Sequence, residues 1–139
     1  MATISRFGVS IDTALLKAFD KLISRKGYTN RSEALRDLIR DRLVENEWQE
    51  GNQDTVGAIT LVYSHDQREL HDKLTELQHQ KYHFIVSNLH VHLDEHNCLE
   101  VLVVKGKSNS IKKIADQLIG TRGVKHGQLT MTTRGKNLS

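Results

Sequence analysis

The stretch of sequence that decides the N-terminal fold is residues 4–11, which read Ile4-Ser5-Arg6-Phe7-Gly8-Val9-Ser10-Ile11. From Arg6 onward, polar and apolar residues alternate as in a strand with one buried face. Two helical patterns follow: one starts at the N-cap residue Asp12 and stops at Gly27, and the other starts at Asn30. One strand and two helices over residues 1–48 bury too little surface to fold alone. Because a lone strand needs a partner, the pattern predicts that two chains pair through it.

The two halves of the chain differ in charge and in histidine content. Residues 1–42 hold nine Lys/Arg against five Asp/Glu, whereas all eight histidines lie between His65 and His126. No apolar run reaches the ~18 residues that a membrane helix needs. The single cysteine cannot form an intrachain disulfide. We therefore expect a cytoplasmic protein with no membrane partner, built from two modules of different function.

Beyond a polar, glycine-containing linker at residues 51–56, the apolar pattern changes to β-α-β-β-α-β. Strands are predicted at residues 57–64, 82–93, 98–105 and 123–133. Helices are predicted at residues 66–80 and from Ser108 or Asn109 onward. This order of elements is the ferredoxin-like arrangement, so the expected fold class is α+β.

Residues 90–98 carry the clearest chemical motif. His90 and His92 are two apart on a predicted strand and so share one face, and Cys98 follows a short polar turn. Imidazole and thiolate bind borderline or soft transition metals rather than calcium or magnesium; zinc favours tetrahedral sites, and nickel(II) and copper(II) suit square-planar ones. The alternative is a pair of ordinary hydrogen-bonding histidines beside a small buried cysteine. The residues alone leave the fourth ligand open among His79, His83, His96 and water.

The polar face of the N-terminal strand consists of Arg6, Gly8 and Ser10. A two-stranded antiparallel ribbon made from two chains fits the major groove of DNA, where an arginine can bind guanine through two hydrogen bonds. The alternative is an ordinary edge strand with a solvated polar face. The pattern thus makes these three residues candidates for reading DNA bases.

With these residues in view, the chain resembles the nickel-responsive transcriptional regulators of the NikR family over nearly its whole length. The matching segments are Arg6–Ile11, Gly27–Asp37, Leu89–His92, Cys98–Val101 and Arg122–Gly127. The second segment is common to many ribbon-helix-helix proteins. Its combination with the His-x-His pair and a single cysteine is much more specific.

The resemblance implies a ribbon-helix-helix DNA-binding domain at residues 1–50 with a dimeric β-ribbon, a linker at residues 51–56, and an ACT-like nickel-binding and tetramerisation domain at residues 57–139. It also implies a homotetramer, a dimer of dimers, that binds double-stranded operator DNA. Nickel in the regulatory domain would make the DNA-binding domains competent for that operator.

The resemblance also implies site residues. The family's square-planar nickel(II) ligands, with one ion per subunit, fall on His90, His92 and Cys98 of one subunit and His79 of a neighbouring subunit. The base-reading positions fall on Arg6, Gly8 and Ser10, although Gly8 lacks the hydroxyl side chain often found there. A second, weaker cation site falls on Glu33 and Asp37, which are four residues apart on one helix face.

Two other functions are open from the sequence. A metal-independent ribbon-helix-helix repressor would sense a small molecule through its ACT-like domain. A nickel-trafficking protein would hold the metal without acting through DNA. The sequence has no Gly-x-Ser-x-Gly, phosphate-binding loop or His-Glu-x-x-His motif, and we expect no enzymatic activity.

Overall fold

The computed structural model describes residues 3–139, which form four helices and four strands. In chain order these are α1 (Thr13–Arg25), α2 (Arg31–Glu50), β1 (Asp54–Ser64), α3 (Arg68–Gln80), β2 (Ile85–His92), β3 (Asn97–Lys107), α4 (Ser108–Ile119) and β4 (Val124–Met131). The chain divides into two compact units, one ending at Leu43 and including Gly135–Ser139, the other spanning Val44–Arg134. The predicted α+β class is confirmed, and so is the β-α-β-β-α-β order of elements in the second unit.

Short-range capping sets the ends of the N-terminal helices. The Asp12 carboxylate accepts hydrogen bonds from the backbone N–H groups of Ala14 and Leu15 at 3.0 and 3.2 Å, and so caps α1. The chain leaves α1 through Gly27, whose φ of 86° suits a residue without Cβ. Asn30 caps α2 by accepting the Glu33 N–H at 2.9 Å. Both predicted caps are therefore present.

The predicted strand over residues 4–11 is not formed in the single chain. Residues 3–12 lie outside helices and strands. Their apolar side chains are exposed, with Ile4 at 84%, Phe7 at 69% and Val9 at 67% of full accessibility. A strand exists only through ladder hydrogen bonds to a neighbour, so this segment has the composition of a strand without its partner.

The second unit is built on a four-stranded sheet in the order β2-β3-β1-β4, in which all neighbours are antiparallel. β1 begins at Asp54, within the segment predicted to be a linker. Thr55 is fully buried there and donates its hydroxyl hydrogen bond to the carbonyl of Thr132 at 2.8 Å. This contact between distant parts of the chain extends the strand beyond what the local pattern indicates.

One face of the sheet packs against α3 and α4. Alternate residues of β1 are buried, as expected for a strand with one covered face. The core joins this face to both helices and to the last turn of α2; its larger members are Trp48, Ile59, Leu61, Tyr63, Leu74, Leu102, Ile111 and Leu118. Within residues 3–139, no helix has the length and apolar character needed to cross a membrane.

Candidate metal centre

The sheet places the histidine pair and the cysteine on neighbouring strands, β2 and β3. His92 lies directly opposite Cys98 in the ladder between β2 and β3, and His90 lies opposite Glu100. On the other side of β3, Tyr63 of β1 lies opposite Cys98. Because side chains two apart on a strand share a face, all five residues lie on the same side of the sheet. This is the side that faces the helices.

Two imidazoles contact the cysteine sulfur. His65 Nδ1 is 3.3 Å and His92 Nδ1 is 3.7 Å from Cys98 Sγ. The ligand atoms of His65, His92 and Cys98 all lie within 4.8 Å of one another. The other ring nitrogen of His65 is 3.5 Å from an oxygen of Asp66, a contact of the kind that orients a metal-binding imidazole. These donors suit a borderline transition metal.

His90 borders this cluster, and His79 lies outside it in the single chain. The rings of His90 and His92 are 5.3 Å apart between centroids. His79 is exposed in the last turn of α3, and its ligand atoms do not belong to the three-donor group. Of the four predicted ligands, the structure thus brings together His92 and Cys98, with His90 adjacent.

The other two histidines considered for the fourth position have different contacts. His96 Nδ1 is 2.6 Å from Asp66 Oδ2, and the ring of His83 stacks on Tyr82 with centroids 3.9 Å apart. His65 was not among the ligands predicted from the sequence. The ferredoxin-like topology contained a signal for it, because β1 runs antiparallel beside β3 and its end must meet the start of β3, where Cys98 lies.

The surroundings of Cys98 favour the neutral thiol when no metal is bound. Burial raises the pKa of the Cys98 thiol, and the negative charges of Glu100, Asp66 and Asp94 raise it further. Cys98 is fully buried. A metal that binds here must therefore displace the thiol proton, and the resulting anion lies in a site with little access to water.

A hydrogen-bonded turn connects His92 to Cys98. The Asp94 carboxylate accepts the backbone N–H groups of His96 and Asn97, each at 2.8 Å, and the amide of Asn97 as well. The Asn97 side chain, followed by these backbone groups, lowers the pKa of Asp94 to about 2. The ionised carboxylate thus fixes the hairpin that holds the two candidate ligands opposite each other.

In the N-terminal unit, the candidate DNA-binding residues Arg6, Gly8 and Ser10 are exposed. A Cβ atom added at Gly8 would meet no atom within 4 Å. The polar side chains of Arg6 and Ser10 are therefore accessible in the single chain, and there is space for a side chain at residue 8.

The candidate second cation site has carboxylates that already contact basic or hydroxyl groups. Asp37 accepts hydrogen bonds from the Tyr28 hydroxyl at 2.5 Å and from Arg40 at 2.9 Å. Glu33 forms an ion pair with Arg36. A cation bound between Glu33 and Asp37 would compete with both arginines.

Comparison with known proteins decides the family. The family model described as the NikR C-terminal nickel-binding domain matches residues 56–132. The model described as the ribbon-helix-helix protein, copG family, matches residues 5–45. The chain belongs to the NikR family. The resemblance seen in the sequence is thereby confirmed. The NikR match runs from residue 56, within β1, to the end of β4 and includes His65, His92 and Cys98.

Curated relatives described as "putative nickel-responsive regulator" match this chain over most of their length. One from Geobacter metallireducens is 63% identical over 138 residues, covering 99% of each chain. One from Caldanaerobacter subterraneus is 60% identical, covering 97% of this chain and 88% of that one. One from Thermococcus onnurineus is 58% identical, covering 97% and 98%. The similarity to these NikR-family regulators therefore includes both units of the chain.

Proposed function

We propose that this protein is a nickel-dependent transcriptional regulator that binds double-stranded operator DNA when nickel occupies its C-terminal unit. The observation that carries the proposal is the contact of His92 with Cys98, at 3.7 Å between nitrogen and sulfur, in a domain that matches the NikR nickel-binding model. The N-terminal match to the ribbon-helix-helix family supports DNA as the partner. The relatives are regulators, which supports a function without catalysis.

We assign one nickel(II) per subunit to His90, His92 and Cys98 together with His79 of a neighbouring subunit. Two imidazoles and one thiol on adjacent strands are supported as a donor set by their distances in the single chain. When bound, nickel(II) would supply strongly directional square-planar bonds to nitrogen and sulfur. His65, at 3.3 Å from the sulfur, is a competing donor within one chain. The proposed role of His79 therefore requires that assembly replace or supplement His65.

We infer a homotetramer in which the N-terminal segments pair as β-ribbons. The exposed apolar residues Ile4, Phe7 and Val9 support this pairing, since burying them needs a second chain. In the second unit, β2 also exposes Val86 at 56% and Leu89 at 59% of full accessibility. These side chains would be covered when regulatory domains associate around the metal centres.

In the paired ribbon, Arg6 would read a base in the major groove, Ser10 would donate or accept a hydrogen bond, and Gly8 would allow close approach of the backbone to DNA.

The proposed DNA-binding domain is residues 1–50 and the proposed regulatory domain is residues 57–139; residues 54–56 of the predicted linker already belong to β1. A second, weaker cation site on Glu33 and Asp37 belongs to the same proposal. We place the protein in the cytoplasm, where its thiol would stay reduced.

The test combines a metal titration with selection of DNA sequences. The wild-type protein is titrated with nickel and followed by the absorption of a nickel–thiolate bond. It is then used to select duplexes from a random-sequence pool with and without nickel. We expect nickel to bind at one ion per chain and to be required for enrichment of one sequence motif.

Two matched variants separate the candidate fourth ligands. His79→Ala should remove tight nickel binding and nickel-dependent selection, whereas His65→Ala should retain both. The reverse pattern would overturn the assignment of His79. Selection of the same motif without nickel would favour a repressor that senses a small molecule, and nickel binding without any selected motif would favour a trafficking protein.

A further inference from the structure

A buried carboxylate lies on β3 next to the candidate metal ligands. Glu100 follows Cys98 by two residues on β3, so the two side chains share a face. Glu100 is only 5% exposed. An ionised carboxylate in such a place needs hydrogen-bond donors to offset the loss of water. The identity of those donors indicates what the residue does.

Three donors from three different elements converge on this carboxylate. The hydroxyl of Tyr63 on β1 donates to Oε2 at 2.9 Å. The amides of Gln78 on α3 and Asn88 on β2 donate to Oε1 at 2.8 and 2.6 Å. Asn88 also donates to the carbonyl oxygen of Gln78 at 2.7 Å. All of these donors are neutral, so Glu100 is held by directed hydrogen bonds.

Each donor is a neighbour in sequence of a candidate metal ligand. Gln78 directly precedes His79 in the last turn of α3, and Asn88 precedes His90 by two residues on β2. Tyr63 precedes His65 by two residues at the end of β1. Glu100 itself is two residues from Cys98 and lies opposite His90 in the ladder. The carboxylate therefore connects α3, β2 and β3, which carry the four proposed ligands, to the end of β1, which leads into His65.

The residue type fits this task. A carboxylate has two acceptor oxygens and no donor, so three N–H and O–H groups can point at it together. A glutamine of the same shape would turn one acceptor into an NH₂ group facing those donors. An apolar residue would leave the buried Tyr63 hydroxyl and the Gln78 amide without their acceptor. Ordinary packing of the core does not require such an arrangement.

We propose that Glu100 is a positioning residue of the metal centre: its carboxylate fixes β2 relative to Cys98, and it fixes the last turn of α3, which presents His79 to the centre of a neighbouring subunit. This inference rests on the proposed nickel site and adds to it the device that sets its geometry. Supporting residues that orient metal ligands typically affect metal affinity by about 10–100-fold when replaced. Glu100 touches no metal; it acts through the backbone positions of the ligands.

The test uses three variants of the full-length protein. Glu100→Gln keeps the shape and removes one acceptor. Asn88→Ala removes only the hydrogen bonds to β2, at an exposed position where folding should not be affected. Glu76→Gln makes the same change of charge as Glu100→Gln at an exposed position of α3 and serves as the matched control. Nickel affinity is measured by competition with a chelator, and the absorption spectrum of the nickel–thiolate bond is recorded alongside.

We expect nickel binding to weaken by about 10–100-fold in Glu100→Gln with a changed nickel spectrum, and by a smaller factor in Asn88→Ala. Glu76→Gln should remain within about twofold of wild type. A wild-type affinity and spectrum in Glu100→Gln would overturn the proposal. So would a weaker affinity accompanied by an unchanged spectrum, because a merely structural role lowers stability without altering the coordination geometry.

A second measurement keeps this inference separate from the proposed function. In the metal-free protein, we expect the imidazole NMR resonances of His90 and His92 to shift in Glu100→Gln while those of His126 on β4 do not. If the wild-type protein fails to bind nickel, the proposed function is wrong, and the shifted resonances still support the positioning role. Unmoved His90 and His92 resonances would overturn that role whatever the metal result.

Discussion

Cys98 and His92 lie directly opposite each other in the ladder between β2 and β3, with 3.7 Å between sulfur and nitrogen. The backbone hydrogen bonds of the sheet therefore set the distance between these two donors before any metal arrives. A preformed pair of this kind reduces the conformational freedom that binding would otherwise remove. The affinity of the centre should thus depend on the integrity of the sheet and of the turn as well as on the ligands themselves.

Replacing Cys98 by alanine should abolish nickel–thiolate absorption and weaken nickel binding by at least about 100-fold, because the thiolate is the strongest donor of the set. The fold should survive, with the free energy of unfolding reduced by about 1 kcal/mol, the usual cost of deleting one methyl-sized group from a core. Absorption titrations and denaturant unfolding measure the two effects. His83→Ala, which removes a ring stacked on Tyr82, is the control. Retention of tight nickel binding by Cys98→Ala would contradict the assignment.

Nickel affinity should rise with pH through the neutral range. Burial raises the pKa of Cys98, so the metal-free protein carries a thiol that must lose its proton on binding, and the affinity should increase about tenfold per pH unit. Calorimetry in buffers of different ionisation enthalpy should detect the released proton.

The raised pKa of Cys98 also means that folding favours the neutral thiol. The metal-free wild type should therefore lose stability above pH ~8.5, the ordinary pKa of a thiol, and Cys98→Ala should not.

The turn at Asp94 gives a separate prediction in acid. Because the pKa of Asp94 is lowered to about 2, its ionised form stabilises the fold fully above its ordinary pKa of ~3.9. That contribution is lost as the pH falls toward 2. Asp94→Asn should therefore be less stable than wild type at neutral pH and equal to it near pH 2. Thermal unfolding across this range measures the difference, and a gap that is independent of pH would contradict the argument.

Arg6→Ala should reduce discrimination between the selected operator and random DNA by about 1–3 kcal/mol if Arg6 reads a base. Binding to both DNAs is measured at two salt concentrations, since contacts to phosphate contribute a term that depends on salt. An equal loss on operator and random DNA would make Arg6 a phosphate contact. Arg25→Ala, in the last turn of α1, is the matched control for the loss of one positive charge.

Gly8→Ser should change the preferred operator sequence without unfolding the protein. An added Cβ at residue 8 meets no atom within 4 Å, and stability should stay within about 0.5 kcal/mol of wild type. The new hydroxyl can form hydrogen bonds that glycine cannot. Sequence selection with Gly8→Ser and Gly8→Ala separates the hydroxyl from the bulk of the side chain. An identical motif for all three proteins would exclude residue 8 from base readout.

Those parts of the fold that depend on local chemistry could be predicted from the sequence. The caps at Asp12 and Asn30 are contacts within three residues, and the order of strands and helices follows from short apolar patterns. The start of β1 could not be predicted, because it depends on the contact of Thr55 with Thr132. The ribbon needs a ladder partner that a single chain lacks.

In the candidate metal centre, too, only the ligands that are close in sequence could be predicted. His90, His92 and Cys98 are close in sequence, and one strand pattern suggests that they meet. His65 is brought to the sulfur by pairing of β1 with β3, more than thirty residues away in the chain. A search for ligands by sequence spacing alone does not detect such a neighbour, whereas the strand order of a ferredoxin-like sheet does.

The exposed apolar side chains of residues 4–11 have a consequence for the subunit before it assembles. In the proposed dimer, the N-terminal unit is stable only in association, so its folded fraction depends on protomer concentration by mass action. A newly synthesised chain would present Phe7 and Val9 beside unpaired backbone groups, a surface prone to associate with the wrong partner. The concentration of the protein in the cell then sets the fraction of subunits whose N-terminal unit is folded. A subunit without its partner would lack the paired ribbon that binds DNA, and it would also be prone to aggregate.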